Sequence, residues 1–234
     1  MLRHRKHDGG MPHPAVTGSP SRLRLALDEA LCVVFPVSCA GCDLPDQTLC
    51  EGCQEEVNPV PRSRRLPSGL EVRSALVFEG VAARVIRAFK EDGRTGLTRP
   101  LGAALRSAWP AGVDAVPVAV PASRVSLRRR GYAPVDLLCR RAGWRPFPLL
   151  SVARATADQR VLSRAERAAN LAGAMSVRAG AARRLERRSV VLIDDVVTTG
   201  ATLDEAARAL RVRGITVAGA VTVAATPLRR AIGG

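Results

Sequence analysis

Residues 190–202 read Val190-Val-Leu-Ile-Asp194-Asp195-Val-Val-Thr198-Thr199-Gly200-Ala201-Thr202. An apolar run of strand length ends in two adjacent carboxylates, and a turn of threonine and glycine then opens a helix. Open α/β sheets bind their ligands at the carboxyl ends of parallel strands. We therefore expect Asp194 and Asp195 to border a ligand site.

The turn after the carboxylates has the composition of a phosphate site. Backbone N–H groups at a helix start bind phosphate, helped by the helix dipole, and Gly200 lets the backbone approach closely. Asp194 and Asp195 are the candidate catalytic residues, which accept hydrogen bonds from ribose hydroxyls and help hold Mg²⁺ on a diphosphate. A single carboxylate would fit an ordinary capped helix, whereas an adjacent pair favours a ligand site. The predicted phosphate-binding residues of this turn are Val196, Val197, Thr198, Thr199, Gly200, Ala201 and Thr202.

Strands and helices alternate on both sides of this run, which predicts an α/β fold with a parallel sheet flanked by helices. The run itself predicts a strand at Ser189–Ile193, and a helix at Leu203–Arg213 and a strand at Thr216–Ala224 follow, with Gly214 as the helix stop. Farther upstream, the sequence predicts strands at Ala75–Phe78, Ala115–Val120 and Leu149–Ala153, helices at Ala82–Phe89 and Pro134–Arg141, and a linker at Arg62–Gly69.

Four cysteines form two CxxC pairs, Cys39-Ala-Gly-Cys42 and Cys50-Glu-Gly-Cys53. Two such pairs complete a tetrahedral, structural zinc site, whereas a redox motif needs one pair and a disulfide needs an oxidising compartment. Gly41 and Gly52 suit tight turns because glycine tolerates positive φ. The remaining Cys32 and Cys139 lie in apolar helical patterns and are expected to pack in a core.

The chain has 234 residues, 47% of them hydrophobic, and a net charge of +15. Such a composition is typical of a globular protein without a membrane span, and the charge attracts phosphate-bearing partners. We expect a disordered leader over residues 1–20, then residues 21–60 with an amphipathic helix at Ser21–Val34 and the zinc module, and a main domain over residues 70–230. No signal peptide is evident, which predicts a cytoplasmic protein.

The acidic run resembles the 5-phosphoribosyl 1-diphosphate signature of type I phosphoribosyltransferases. The wider chain resembles the ComF family, which is named for its part in DNA uptake by competent bacteria. The resemblance rests on the CxxC pairs, on Phe89-Lys90, on residues 118–123 and on residues 159–170. It implies a phosphoribosyltransferase-like domain joined to a zinc module, with a diphosphate-binding loop that contains Pro121, Ala122 and Ser123.

The resemblance also implies that Ala153–Asn170 is a mobile loop over the substrate, although the charges of Gln159–Asn170 equally fit a solvated helix. One departure is Arg130-Gly131-Tyr132-Ala133, where family members often have RGFN. Lys90 is one of only two lysines, so a role as a point charge toward phosphate is weighed against chance.

Two functions of different class remain open. One is an enzyme that transfers phosphoribosyl to an unidentified acceptor, although hypoxanthine and guanine are disfavoured because Thr198 occupies the place of a proton-accepting Asp. The other is a binding protein for a nucleotide or for single-stranded DNA that assists the DNA-uptake machinery. Only 3% of the residues are aromatic, too few for an extended base-stacking platform. In the DNA-binding hypothesis, contacts to backbone phosphates would come from two arginine clusters that equally fit a solvated surface: Arg128, Arg129, Arg130, Arg183, Arg184, Arg187 and Arg188.

Overall fold

A computed structural model of the chain describes residues 37–153, 171–185 and 187–227. The predicted leader, the helix at Ser21–Val34 with Cys32, and nearly all of the predicted loop at Ala153–Asn170 lie outside the described residues. From Ser38 onward the chain belongs to one compact unit, so the four paired cysteines lie in the same unit as the sheet. No helix in the described ranges has the length and apolar character that a membrane crossing requires.

Seven strands and six α-helices are described. The strands are β1 (Arg62–Arg65), β2 (Glu71–Val77), β3 (Val116–Ala119), β4 (Leu150–Val152), β5 (Met175–Val177), β6 (Val190–Val197) and β7 (Val217–Ala225). The helices are α1 (Glu51–Glu56), α2 (Gly80–Glu91), α3 (Thr98–Ser107), α4 (Arg124–Arg130), α5 (Pro134–Arg141) and α6 (Ala201–Arg211). Short 3₁₀ turns occupy Thr95–Leu97 and Ala182–Leu185.

Five strands form the main sheet in the order β1-β2-β7-β6-β3. The pairs β2/β7, β7/β6 and β6/β3 are parallel, and only β1 runs antiparallel, at the edge beside β2. The predicted parallel sheet flanked by helices is confirmed. Its central strands β6 and β7 are nearly continuous runs of buried apolar residues, as expected for strands covered on both faces.

Alternating side chains of β6 divide the core into two layers. Val191 and Ile193 pack with helices α2, α3 and α5 on one face, where Phe89 is fully buried. Val190 and Leu192 pack on the other face with α6 and with a separate two-stranded sheet formed by β4 and β5. The alternation follows from the two-residue period of a strand.

Two predictions about local structure are wrong, and a third holds only in part. Arg62–Gly69 is not a linker, because residues 62–65 pair with β2 as a charged edge strand, which protects the sheet from further pairing. The strand predicted at Leu149–Ala153 is present as β4, but it lies outside the main sheet and pairs antiparallel with β5. β6 does not end at Ile193 but continues to Val197, since Asp194 and Val196 pair with β7.

Gly41 and Gly52 were predicted to supply positive φ, and this is also wrong. Neither is among the glycines with positive φ, and the left-handed residues of this segment are Asp43 (φ 63°) and Asp46 (φ 62°). Gly52 lies inside α1, where an added Cβ would meet nothing within 4 Å. Gly214, in contrast, has φ 71° directly after the last helix, as its role as a helix stop requires.

Candidate functional site

The two carboxylates lie within β6, near its carboxyl end. Asp195 is 9% exposed, and Asp194 is half-buried and aligned with Thr222 of β7. The Asp194 carboxylate accepts a hydrogen bond from the Asp195 N–H at 2.8 Å, and the Asp195 carboxylate accepts one from the Val196 N–H at 2.7 Å. Both side chains are therefore fixed by the backbone of their own strand.

Lys90 forms an ion pair with Asp195. Its Nζ lies 3.0 Å from Oδ1 and 3.0 Å from Oδ2 of Asp195, and its side chain is 27% exposed. Lys90 comes from the last turn of α2, so helix and strand bring together two residues that are 105 positions apart. The ammonium neutralises one of the two carboxylates and retains donors for a further partner.

Among the described residues, no cation forms an ion pair with Asp194. Burial raises the pKa of its carboxyl to about 7, the negative charge of Asp195 acts in the same direction, and the charge of Lys90 opposes the rise. A positive ion or a hydrogen-bond donor at this position would favour the ionised carboxylate.

A cavity of about 940 Å³ opens at this edge of the sheet. It is large enough for a nucleotide-sized ligand. Helix α2, strand β6, the loop after β3 and the segment around β4 contribute to its walls. Of the predicted phosphoribosyl-binding and catalytic residues, it is lined by Lys90, Pro121, Ala122, Ser123, Asp194, Asp195 and Thr202.

A second cavity of about 200 Å³ adjoins the first, and both are lined by Asp194 and Thr202. Its lining includes every member of the predicted phosphate-binding turn, residues 196–202. The sequence-predicted phosphoribosyl residues are thus distributed over two neighbouring cavities that meet at Asp194 and Thr202.

Gly200 has two reasons to be glycine. Its φ of 88° places it in the left-handed region directly before α6, and an added Cβ would lie 2.6 Å from both Cδ atoms of Leu66. The sequence predicts that Gly200 lets the backbone approach a phosphate closely. In the structure, the neighbour that leaves no room for a Cβ at this position is the side chain of Leu66.

The start of the turn is held from outside. Arg64 of β1 donates from Nη2 to the Thr198 carbonyl at 2.8 Å, and Thr226 donates from Oγ1 to the same oxygen at 3.4 Å. The Thr226 N–H also donates to the Val197 carbonyl at 3.0 Å. The sequence does not identify Arg64 as a site residue, because the composition of its segment predicts a linker.

The loop Pro121–Ser123 leads directly from β3 into α4. Ser123 is the N-cap of α4, and its Oγ accepts a hydrogen bond from the Ser126 N–H at 3.1 Å. The cap fixes the loop at the cavity wall and satisfies one of the free N–H groups of the helix start.

The segment that departs from the family pattern packs against the end of α2. The Tyr132 hydroxyl donates to the Phe89 carbonyl at 2.6 Å, and the two rings lie 6.2 Å apart. Phe89 directly precedes Lys90, so Tyr132 fixes the turn of helix that carries the lysine. Ala133 lines the large cavity.

The arginine clusters do not form one uniform surface. Arg128 and Arg129 are exposed, whereas Arg130 is half-buried and lines the large cavity. In the second cluster, Arg184 lies over the ring of Phe147 and Arg188 pairs with Asp114 at 3.0 Å. Sequence reasoning grouped Arg130 with its neighbours because three consecutive arginines give no indication of which one points inward.

The four cysteines of the CxxC pairs form a compact cluster. Their sulfur atoms all lie within 4.8 Å of one another, and Sγ of Cys42 lies 3.6 Å from Sγ of Cys50. Tetrahedral zinc with Zn–S bonds of about 2.3 Å separates its sulfurs by about 3.8 Å. The cluster therefore has the donors and spacing to hold one metal ion.

Backbone groups stabilise a thiolate within this cluster. Cys39 Sγ accepts hydrogen bonds from the Gly41 N–H at 3.4 Å and from the Cys50 N–H at 3.3 Å. Burial works to raise the pKa of the Cys39 thiol, but these donors bring it down to about 6. Gly41 is required here for space, since an added Cβ would lie 2.5 Å from Cys53 Sγ and 2.9 Å from Val81.

Two arginines attach the cysteine segment to the main domain. Arg84 of α2 donates to the Gly41 carbonyl, and Arg94 donates to the carbonyls of Ser38 and Thr48. Ala40 also joins the core layer on the α2 side of the sheet. The other buried cysteine, Cys139, lies apart in α5 within the same layer and confirms the expected core packing.

The match to a known domain family lies in the C-terminal half of the chain. Residues 125–231 match the phosphoribosyl transferase domain family. Competence protein F of Haemophilus influenzae is 36% identical over 103 residues, which cover 42% of this chain and 44% of that protein. The chain thus spans less than half the length of this curated relative. Lys90, the loop at residues 121–123 and the four cysteines all precede the residues that the domain family matches.

Proposed function

We propose that the chain is a ComF-like protein built on a phosphoribosyltransferase domain, and that it binds 5-phosphoribosyl 1-diphosphate with Mg²⁺ at the carboxyl edge of its sheet. One observation carries the proposal: two adjoining cavities meet at Asp194 and Thr202. The small cavity is lined by the turn at residues 196–202, which suits a 5-phosphate at a helix start. The large cavity offers Lys90 and the capped loop at residues 121–123 for the diphosphate.

Asp194 and Asp195 would hold the Mg²⁺ ion and accept the ribose hydroxyls between the two phosphate groups. The ion, when bound, neutralises charge on the diphosphate as it leaves the anomeric carbon. Lys90 keeps the Asp195 carboxylate in one orientation through its bidentate pair. Arg64 fixes the Thr198 carbonyl, so the turn is preorganised to receive a phosphate.

We further propose that the protein transfers phosphoribosyl to an acceptor, with the chain acting through positioning and charge stabilisation. Thr198 cannot accept a proton as a carboxylate would, and it is exposed with its carbonyl held by Arg64. This argues against 6-oxopurine acceptors.

We also propose that the cysteine cluster holds a structural Zn²⁺. A cluster of reduced thiols and a nucleotide precursor as ligand both fit the cytoplasm.

The binding proposal is tested by thermal unfolding with and without ligand. Phosphoribosyl diphosphate with Mg²⁺ should raise the melting temperature, because a ligand at a hundredfold excess over Kd stabilises the native state by about 2.7 kcal/mol. Adenosine lacks a phosphate and should give no shift. Equal shifts from both compounds, or a shift from neither, would refute the proposal.

A second candidate function is binding of single-stranded DNA without catalysis, as an aid to DNA uptake. Its support is the net charge of +15 together with the exposed Arg128 and Arg129, and the relative's name refers to competence. Phosphate contacts make affinity fall steeply with salt. A salt titration of oligonucleotide binding tests it, and a flat dependence would exclude backbone contacts of this kind.

A further inference from the structure

Arg130 differs from the other arginines of its cluster. It is the last residue of α4, it is half-buried, and it lines the large cavity together with Lys90, Asp194 and Asp195. Its Nε atom is buried and has no hydrogen-bond partner in the described structure. Arg128 and Arg129, one turn or less away, are exposed to water.

An unpartnered guanidinium N–H is costly in a folded protein. A buried donor left unsatisfied destabilises the folded state, and more so when the group is charged. The ion pairs of the described residues join Lys90 to Asp195, Arg188 to Asp114 and Arg208 to Glu205, and Arg130 takes part in none of them. Two carboxylates line the same cavity, yet the ion pair described there joins Asp195 to Lys90 and not to Arg130.

The position of Arg130 is fixed by the residues that follow it. Gly131 ends α4 in the left-handed region with φ 74°, and its N–H donates to the Leu127 carbonyl. Tyr132 then anchors the chain to Phe89, next to Lys90. Burial raises the pKa of Tyr132 and the charge of Arg130 counteracts part of that rise, which is consistent with a guanidinium close to this ring.

We infer that Arg130 is a binding residue for a diphosphate group in the large cavity, donating the two terminal N–H groups of its guanidinium to two of its oxygens. This deepens the proposed function and rests on it. The planar guanidinium matches two oxygens of a phosphate at once, whereas Lys90 acts as a point charge. Arg130 lines only the large cavity, and the phosphate-binding turn lines the small one, so Arg130 contacts the diphosphate rather than the 5-phosphate.

The inference is tested by calorimetry with three probes in the presence of Mg²⁺: inorganic pyrophosphate, phosphoribosyl diphosphate and ribose 5-phosphate. Arg130→Met should weaken binding of the two diphosphates about 10- to 100-fold, as expected for a lost charge-assisted contact. Ribose 5-phosphate should bind within about twofold of the wild type, since its phosphate occupies the turn. Arg130→Lys should fall between the two because it keeps the charge and loses the fork.

Arg211→Met is the matched control. Arg211 is exposed at the far end of α6, about 15 Å along the helix from the turn, and lines neither cavity. It removes the same charge and should leave all three affinities unchanged. If Arg130→Met unfolds, the folded Arg130→Lys variant decides, and a loss of less than twofold for pyrophosphate in that variant would overturn the bidentate contact.

The outcomes separate this inference from the proposed function. If Arg130→Met binds phosphoribosyl diphosphate as the wild type does, the inference fails and the proposed function stands. If the wild type binds pyrophosphate through Arg130 but does not bind phosphoribosyl diphosphate, the inference stands and the proposed function fails. A wild-type protein that binds neither compound would overturn both.

Discussion

The cysteine cluster and the large cavity differ in how far their polar groups are paired within the protein. In the cluster, backbone N–H groups of Gly41 and Cys50 already donate to Cys39, and four sulfurs surround a space for one ion. In the large cavity, Arg130 forms no ion pair among the described residues, and the pKa of Asp194 is raised by burial and by its acidic neighbour. The four sulfurs need only a metal ion as their partner. In the large cavity, the Arg130 guanidinium would pair with a phosphorylated ligand, and the Asp194 carboxylate with its Mg²⁺.

The largest effect is expected at the cysteine cluster. Cys53→Ser should release the metal ion and lower the melting temperature by more than about 10 °C, because structural zinc contributes roughly 10 kcal/mol or more to the folding of small zinc modules. Cys53 is buried, and the cluster is attached to the main domain through Arg84 and Arg94. Elemental analysis of the wild type should find one zinc per chain.

Cys139→Ala is the control for this prediction. Cys139 is also a buried cysteine, but it lies in α5 outside the cluster. It should retain the zinc and lose only a small packing contribution. Wild-type protein that is purified without chelators and contains no zinc would refute the structural role and remove the contrast between the two regions.

A smaller effect is expected at the phosphate-binding turn. Gly200→Ala should destabilise the fold by about 2 to 4 kcal/mol, since alanine at φ 88° is strained and its Cβ would collide with Leu66. Gly214→Ala has a similar φ of 71° but an open surrounding, so it should cost about 1 kcal/mol. Urea unfolding measures both values, and equal losses in the two variants would mean that Leu66 does not restrict the turn.

Local patterns in the sequence predicted most elements of the fold. The helix Pro134–Arg141 coincides with α5, and the apolar runs around Val118 and Leu192 are strands of the parallel sheet. These segments were readable because burial on both faces leaves long apolar runs and because proline and glycine mark helix ends. The position of the carboxylates after an apolar run was also predicted correctly, although the strand continues past them.

The remaining features depend on contacts between distant segments. β1 has the sequence Arg-Ser-Arg-Arg, which lacks the alternation of apolar and polar residues that indicates a strand. Only its pairing with β2 identifies it as one. The pairing of Leu150–Val152 with β5 and the ion pair of Lys90 with Asp195 each join segments far apart in the chain. The inward orientation of Arg130 follows from Gly131 and Tyr132, whose packing on Phe89 no local pattern predicts.

The central claim is that Asp194 and Asp195 belong to a phosphoribosyl site and not to a general anion-binding surface. The two models predict opposite changes in the affinity for phosphoribosyl diphosphate when both residues are replaced, as Asp194→Asn/Asp195→Asn. Loss of negative charge strengthens nonspecific anion binding, because a carboxylate repels a nearby phosphate. In a phosphoribosyl site the same change removes hydrogen bonds to ribose and ligands to Mg²⁺, each worth about 1.5 to 3 kcal/mol.

Calorimetry of this double variant with phosphoribosyl diphosphate and Mg²⁺ is the most direct measurement. The predicted result is binding at least about tenfold weaker than that of the wild type, by the loss of one such bond, while inorganic phosphate binds as well or better. Tighter binding of phosphoribosyl diphosphate by the variant would contradict the site and leave the basic surface alone to account for the affinity.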